Sequence, residues 1–135
     1  MKIKQLGVVS ILTSFLGYLF AHSYAIGLCH ADSVTNVYDV SCSILLKRIG
    51  DPLFYGAGAL AIVFLALLYF KKAVPAWKKF AVWFVPLATL LFIFYPEPGA
   101  GDLFSPYPES VFKWVSGFYI LISAIIVSYS VRTKR

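Results

Sequence analysis

Four long apolar runs, broken by short segments in which charge is sorted by sign, decide what this chain can become. The runs cover residues 6–28, 52–70, 80–95 and 111–131. A helix needs roughly 20 apolar residues to cross the hydrocarbon of a bilayer, within a range of about 17–25. The third run is the short one and carries Pro86, so a kink is expected there, with extension through Trp77 and Lys79 to the interface. With 60% hydrophobic and only 13% charged residues in 135, a soluble domain could not hide its apolar surface. The expected fold class is an all-α integral membrane protein, a single membrane domain with four transmembrane helices.

Orientation follows from the loops. Lys2 and Lys4, then Lys71, Lys72, Lys78 and Lys79, then Arg132, Lys134 and Arg135 lie on one side with no acid among them. The other side carries Asp32, Asp39, Asp51, Glu97, Asp102 and Glu109 against Lys47, Arg48 and Lys113. Basic loops stay in the cytoplasm, which predicts both termini there and residence in the plasma (cytoplasmic) membrane. The same argument explains the net charge of +6 without nucleic acid. The basic residues flank apolar spans and form no clustered face for phosphate contacts. Trp77, Trp83 and Trp114, with Tyr69, Tyr95 and Tyr119, fall near span ends, where amphipathic rings favour the headgroup layer.

The first run admits a rival reading. Its basic start and Ser23-Tyr24-Ala25 ending resemble a signal peptide cleaved after Ala25. Against this, the apolar stretch is long for a signal, and Ser10, Ser14, Gly17, Ala21 and Ala25 recur at helical spacing. Such a smooth strip suits packing against another helix, so a retained span is expected. Leu28 is bulky where a lipoprotein signal wants a small residue before Cys29.

Between the first two spans the pattern predicts a short interfacial helix over 40–49, capped by Asp39. Cys42, Leu45, Leu46 and Ile49 share one face of it, while Lys47 and Arg48 can snorkel outward. Gly50 is expected to end it, and Asp51-Pro52 to start the second span with a cap and a proline at the first helical position. The second external loop, residues 96–110, holds four prolines, and Tyr95-Pro96-Glu97 is echoed by Tyr107-Pro108-Glu109. Two readings stand there: a stiff hairpin closure, or a partner-docking surface built on Tyr95, Glu97, Tyr107 and Glu109.

Few residues could carry chemistry. Cys29 and Cys42 are the two cysteines, and both fall on the side where disulfides persist. A structural bond, a redox-active pair and free or metal-bound thiols are the three readings. The redox reading draws on Cys42 lying in the first turn of a helix, where the dipole favours a thiolate. Cys29, His30 and Asp32 lie close together, with His22 about two turns back, but they match no metal-ligand spacing. His22 is a titratable residue in a span and a candidate on that ground. Ser14, Tyr18 and His22 recur at spacing four, which bundle packing also explains. Haem would want a second intramembrane axial ligand, and no span offers another histidine. Proton-coupled export would want an intramembrane carboxylate, and no apolar run contains one.

Val40-Ser41-Cys42-Ser43-Ile44-Leu45, followed by Gly50-Asp51-Pro52-Leu53 and Gly56, resembles a stretch of the vitamin K epoxide reductases and their bacterial relatives. These are four-helix membrane thiol oxidoreductases with a loop cysteine pair after the first span. The resemblance implies thiol–disulfide exchange by Cys29 and Cys42. That family's active-site Cys-x-x-Cys is absent here, since Val111-Phe112-Lys113-Trp114 stands in its place, and the loop pair is spaced wider. The residues therefore point first to a non-enzymatic accessory or assembly protein with one structural disulfide, no cofactor and no metal. Its expected partners are the lipid bilayer and another membrane or cell-surface protein.

Overall fold

The computed structural model describes residues 3–29, 40–95 and 107–133. His30, Asp32, Asp39, Glu97 and Asp102 lie outside the described residues, and with them the expected Asp39 cap. The described chain is helical: α1 (Ile3–Ala21), α2 (Val40–Tyr69), a 3-10 turn (Lys71–Ala73), α3 (Val74–Phe94) and α4 (Pro108–Arg132). All four α-helices are long and apolar enough to cross a membrane. The helices alternate in direction, so one end of the bundle gathers Cys29, Cys42, Phe94 and Tyr107, and the other gathers Lys71, Lys72 and Arg132. We refer to these as the disulfide end and the lysine end.

The tightest packing joins α1 to α2. Gly7 comes up against Phe64, Ser14 against Gly58, and Gly17 against Gly50 and Phe54, so the two helices run antiparallel. A Cβ on Gly17 would sit 2.8 Å from the Leu53 carbonyl carbon, and one on Gly50 would sit 2.8 Å from that of Phe20. The Ser14 hydroxyl donates across the seam to the Phe54 carbonyl at 3.2 Å. In lipid, helices gain little by burying apolar surface from one another, so close backbone approach and interhelical hydrogen bonds do the joining. The small-residue strip of α1 is thus used inside the molecule, with Ser10 and Gly17 buried in the seam.

A second seam is written along α4. Phe112, Ser116, Tyr119, Ser123 and Val127 are its buried residues, recurring every three or four positions on one face. Of these, Tyr119 and Val127 share a core with Ala59, Val63, Phe64 and Leu67 of α2 and Ala73, Trp77 and Ala81 around the start of α3. Aromatic rings fill this core: Phe64 meets Trp77 edge-on at 5.4 Å, and Tyr119 stacks with Phe84 at 5.4 Å and Phe80 at 5.9 Å. Trp77 and Tyr119, expected at the headgroup layer, are therefore core residues, only 8% and 3% exposed. The reason is register. Starting α3 at Val74 and α4 at Pro108 puts both rings on the inner faces of their helices. Tyr69, Trp83 and Trp114 remain exposed.

Helix boundaries also differ from the sequence expectation. The first helix stops at Ala21 instead of reaching 28, and residues 22–29 continue as hydrogen-bonded turns. These turns close in a Schellman arrangement: Leu28 N–H donates to the Ser23 carbonyl at 2.9 Å and Gly27 N–H to the Tyr24 carbonyl at 3.2 Å. Gly27 takes φ 72°, which a residue with a Cβ adopts reluctantly. The expected separate helix over 40–49, ending at Gly50, is not present. Val40–Tyr69 is one helix of 30 residues with Pro52 inside it. Gly50 serves a helix crossing, and that contact outweighs the local break signal of Gly50-Asp51-Pro52. The third helix is not short: it has 21 residues and passes through Pro86, beginning six residues earlier than expected with a proline in its first turn.

Candidate functional site

The disulfide end holds most of the polar residues singled out in the sequence. Cys29 and Cys42 are bonded, with their α-carbons 5.7 Å apart across a separation of 13 residues. That spacing lies in the ordinary range for an unforced bridge. Local structure brings the pair together. The Gly27 stop folds the chain after α1 back toward α2, and Cys42 sits in the first turn of α2. Cys29 is only 3% exposed, while Cys42 is half-buried. A bond closing a loop of this size is worth about 3 kcal/mol in the chain-entropy account.

A charged cluster lies beside it and ties α2 to α4. Glu109 Oε1 is 2.8 Å from Lys113 Nζ, and its Oε2 is 3.5 Å from Lys47 Nζ. The Tyr55 hydroxyl donates to Glu109 Oε1 at 3.2 Å, and Lys113 Nζ lies 5.5 Å from the centre of the Tyr55 ring. Glu109 is thereby held by three side chains of its own molecule. The spacing of four between Glu109 and Lys113 is visible in the sequence. Lys47 and Tyr55 carry no such signal, because they reach Glu109 only once α2 packs beside α4. Lys113 stays about half exposed while pairing with Glu109 on its own helix. These side chains are partly exposed, so the ion pairs add little to stability and chiefly fix register.

Asp51, read in the sequence as a cap, is buried within α2 at 8% exposure, with Lys47, Glu109, His22 and Lys113 contributing to the field around it. His22 is tied locally. Its Nδ1 lies 3.1 Å from the Tyr18 carbonyl, and its ring stacks on Tyr18 at 4.3 Å. Tyr18 in turn leans on Phe54 of α2 at 5.7 Å. Among the described residues no group of three or more His, Cys, Asp or Glu side chains could hold a metal ion. Of the loop candidates, Tyr107 precedes α4 and is 74% exposed, and Tyr95 takes an extended conformation at the end of α3.

Comparison with protein families, with curated proteins and with solved structures found no match. The geometry therefore has to speak for itself. It joins the two cysteines, engages Glu109 internally and leaves Tyr107 and Trp114 exposed near the start of α4, Trp114 at 79%.

Proposed function

We propose that this chain is a non-enzymatic accessory or assembly protein of the cytoplasmic membrane, with both termini in the cytoplasm. Its disulfide end would face outward and dock another membrane or cell-surface protein. The observation that carries the reading is the buried Cys29 in a bond to Cys42, in a chain with no third cysteine. Thiol–disulfide relays work by attack of a free thiolate on an accessible sulfur, and a second pair would be needed to pass electrons onward. A buried sulfur within a chain that offers no resolving thiol supports a staple. The exposed Tyr107 and Trp114 support a docking rim, since aromatic rings are favoured anchors of interfaces. Inside the rim, Glu109 is engaged by Lys47, Tyr55 and Lys113, so it shapes the surface more than it offers a free charge.

Two measurements test this. Thiols trapped with acid in intact cells, then alkylated with and without reductant, should show a fully oxidised pair that does not respond to external redox. A population that shifts with redox conditions, or a mixed disulfide with another protein, would replace this reading with that of a thiol oxidoreductase using Cys29 and Cys42. A photo-crosslinking residue at Tyr107 should capture a discrete membrane or surface protein, whereas one at Leu121, on the exposed side of α4, should not.

A further inference from the structure

Positive charge is answered at one end of the bundle and unanswered at the other. At the disulfide end Lys47 and Lys113 reach Glu109, and Asp51 lies in their field. Toward the lysine end the described residues include Lys4, Lys71, Lys72, Lys78, Lys79 and Arg132. Residues 1–31, 52–96 and 110–135 contain no aspartate or glutamate, so no acidic side chain of the neighbouring segments can meet them. Something anionic from outside the chain is the natural complement of that end.

The outer face of α3 says what kind of anion. Trp77 and Ala81 turn inward from this helix, whereas Pro75, Lys78, Lys79, Val82 and Trp83 are all exposed and line a shallow groove. A spacing of four places Lys78 over Val82 and Lys79 over Trp83, two adjacent rows on one face. Four residues rise about 6 Å along the axis, so the charges stand one turn nearer the lysine end than the rings. Long stems let the ammonium groups reach further still in that direction. Val82 is 58% and Trp83 82% exposed, and Leu87 continues the same face toward the middle of the helix at 68%. A free anion or an acidic peptide would meet the lysines and leave this apolar strip uncovered. A phospholipid meets both, with phosphate at one level and hydrocarbon one turn deeper. Tryptophan is also the ring favoured at that boundary. Trp114, at the other end, is 79% exposed, but its neighbour Lys113 lies 2.8 Å from Glu109 and has its charge met within the molecule.

We propose that the face of α3 formed by Lys78, Lys79, Val82 and Trp83 selectively binds an anionic phospholipid of the leaflet at the lysine end. The phosphate is held at the two ammonium groups, and the upper part of an acyl chain lies along Val82 and Trp83. Clustered basic residues beside a membrane span attract anionic lipids over neutral ones, and here the apolar strip fixes where on the surface that attraction is used. The inference needs the chain to span a membrane, but it depends neither on which side each end faces nor on a protein partner.

The test is tryptophan quenching in the full chain, reconstituted into phosphatidylcholine vesicles that carry a minor fraction of brominated lipid. The brominated lipid is phosphatidylglycerol in one series and phosphatidylcholine in the other. Trp114→Phe leaves Trp83 as the exposed reporter, Trp83→Phe leaves Trp114, and the buried Trp77 is common to both. At Trp83, brominated phosphatidylglycerol should associate about fivefold more strongly than brominated phosphatidylcholine, the order expected of one lysine at an anionic surface. At Trp114 the two lipids should quench alike. In the Trp114→Phe background, Lys78→Gln with Lys79→Gln should abolish the preference, and Lys78→Arg with Lys79→Arg should keep it. Lys71→Gln with Lys72→Gln should keep most of it. An intact disulfide and an unchanged melting midpoint show that each variant is folded. Should the glutamine pair fail that check, Trp114→Phe protein in about 1 M salt, where screening acts within about 3 Å, should lose the preference instead. No preference at Trp83, an equal preference at Trp114, or equal losses from the two lysine pairs would each overturn the proposal. So would loss of the preference to inorganic phosphate at constant ionic strength, which would assign the site to a free anion.

Discussion

Gly17 and Gly50 occupy each other's side-chain space: the Cβ that either lacks would lie 2.9 Å from the carbonyl oxygen of the other. The relationship is reciprocal, and the neighbours are backbone atoms that cannot swing aside. Gly17→Ala or Gly50→Ala should therefore separate α1 from α2 and cost about 3 kcal/mol, the upper part of the usual overpacking range. Gly117→Ala, where an added Cβ meets nothing within 4 Å, should be neutral or gain up to about 1 kcal/mol from helix propensity. Reversible unfolding in detergent distinguishes them. Equal effects at positions 17 and 117 would dismiss the crossing as the cause.

Cys29→Ser, Cys42→Ser and the double variant should lose stability by the same amount, about 3 kcal/mol, because all three remove one bond. The double variant should still insert and fold. A thermal melt beside an alkylation mass shift reads both quantities. A single variant much worse than the double would mean that the freed partner thiol does harm of its own.

The Glu109 cluster should be worth little to stability but should show coupling. Glu109→Ala combined with Tyr55→Phe in a double-mutant cycle should give an interaction energy of about 0.5–1 kcal/mol, since the groups are partly exposed. Glu109→Gln should cost less than Glu109→Ala, because an amide oxygen still accepts from Tyr55. A coupling of zero would mean that the Tyr55–Glu109 hydrogen bond does not form in solution.

Trp77 Nε1, Tyr119 hydroxyl and Ser123 Oγ are buried without a well-formed hydrogen bond. Burying an unpaired hydroxyl is unfavourable, so Ser123→Ala should leave the protein as stable or raise it by about 1 kcal/mol. A loss of stability would show instead that Ser123 is bonded to Tyr119, its neighbour in the core.

Much of the bundle was legible from sequence because lipid imposes one rule: a spanning segment must satisfy its own backbone, so long apolar runs become helices. The cysteine pair was legible too, by elimination in a chain with two cysteines. Local signals misled wherever a tertiary contact used the same residue differently. Gly50 has the look of a helix stop, yet it makes room for the α1 backbone. Trp77 and Tyr119 have the composition of interface anchors, yet the true starts of α3 and α4 turn them inward. The hold of Lys47 and Tyr55 on Glu109 could not be read at all, because it depends on which helix lies beside α4. The apolar groove of about 560 Å³ between α2, α3 and α4 was invisible for a related reason: it arises from α2 and α3 failing to pack closely, and that leaves no mark in either helix alone.

The packing of α1 bears on how such a protein is made. Among the described residues its small-residue strip finds its partner in the very next helix and makes no close seam with α3 or α4. The α1–α2 hairpin can therefore assemble as soon as Tyr69 has entered the membrane, before the second half has been synthesised. Nascent chains stopped after the 3-10 turn should already carry the Cys29–Cys42 bond. The second half would then be added to a finished template, with α4 taking its register from Phe64 and Leu67 and α3 left as the most loosely held piece of the assembly.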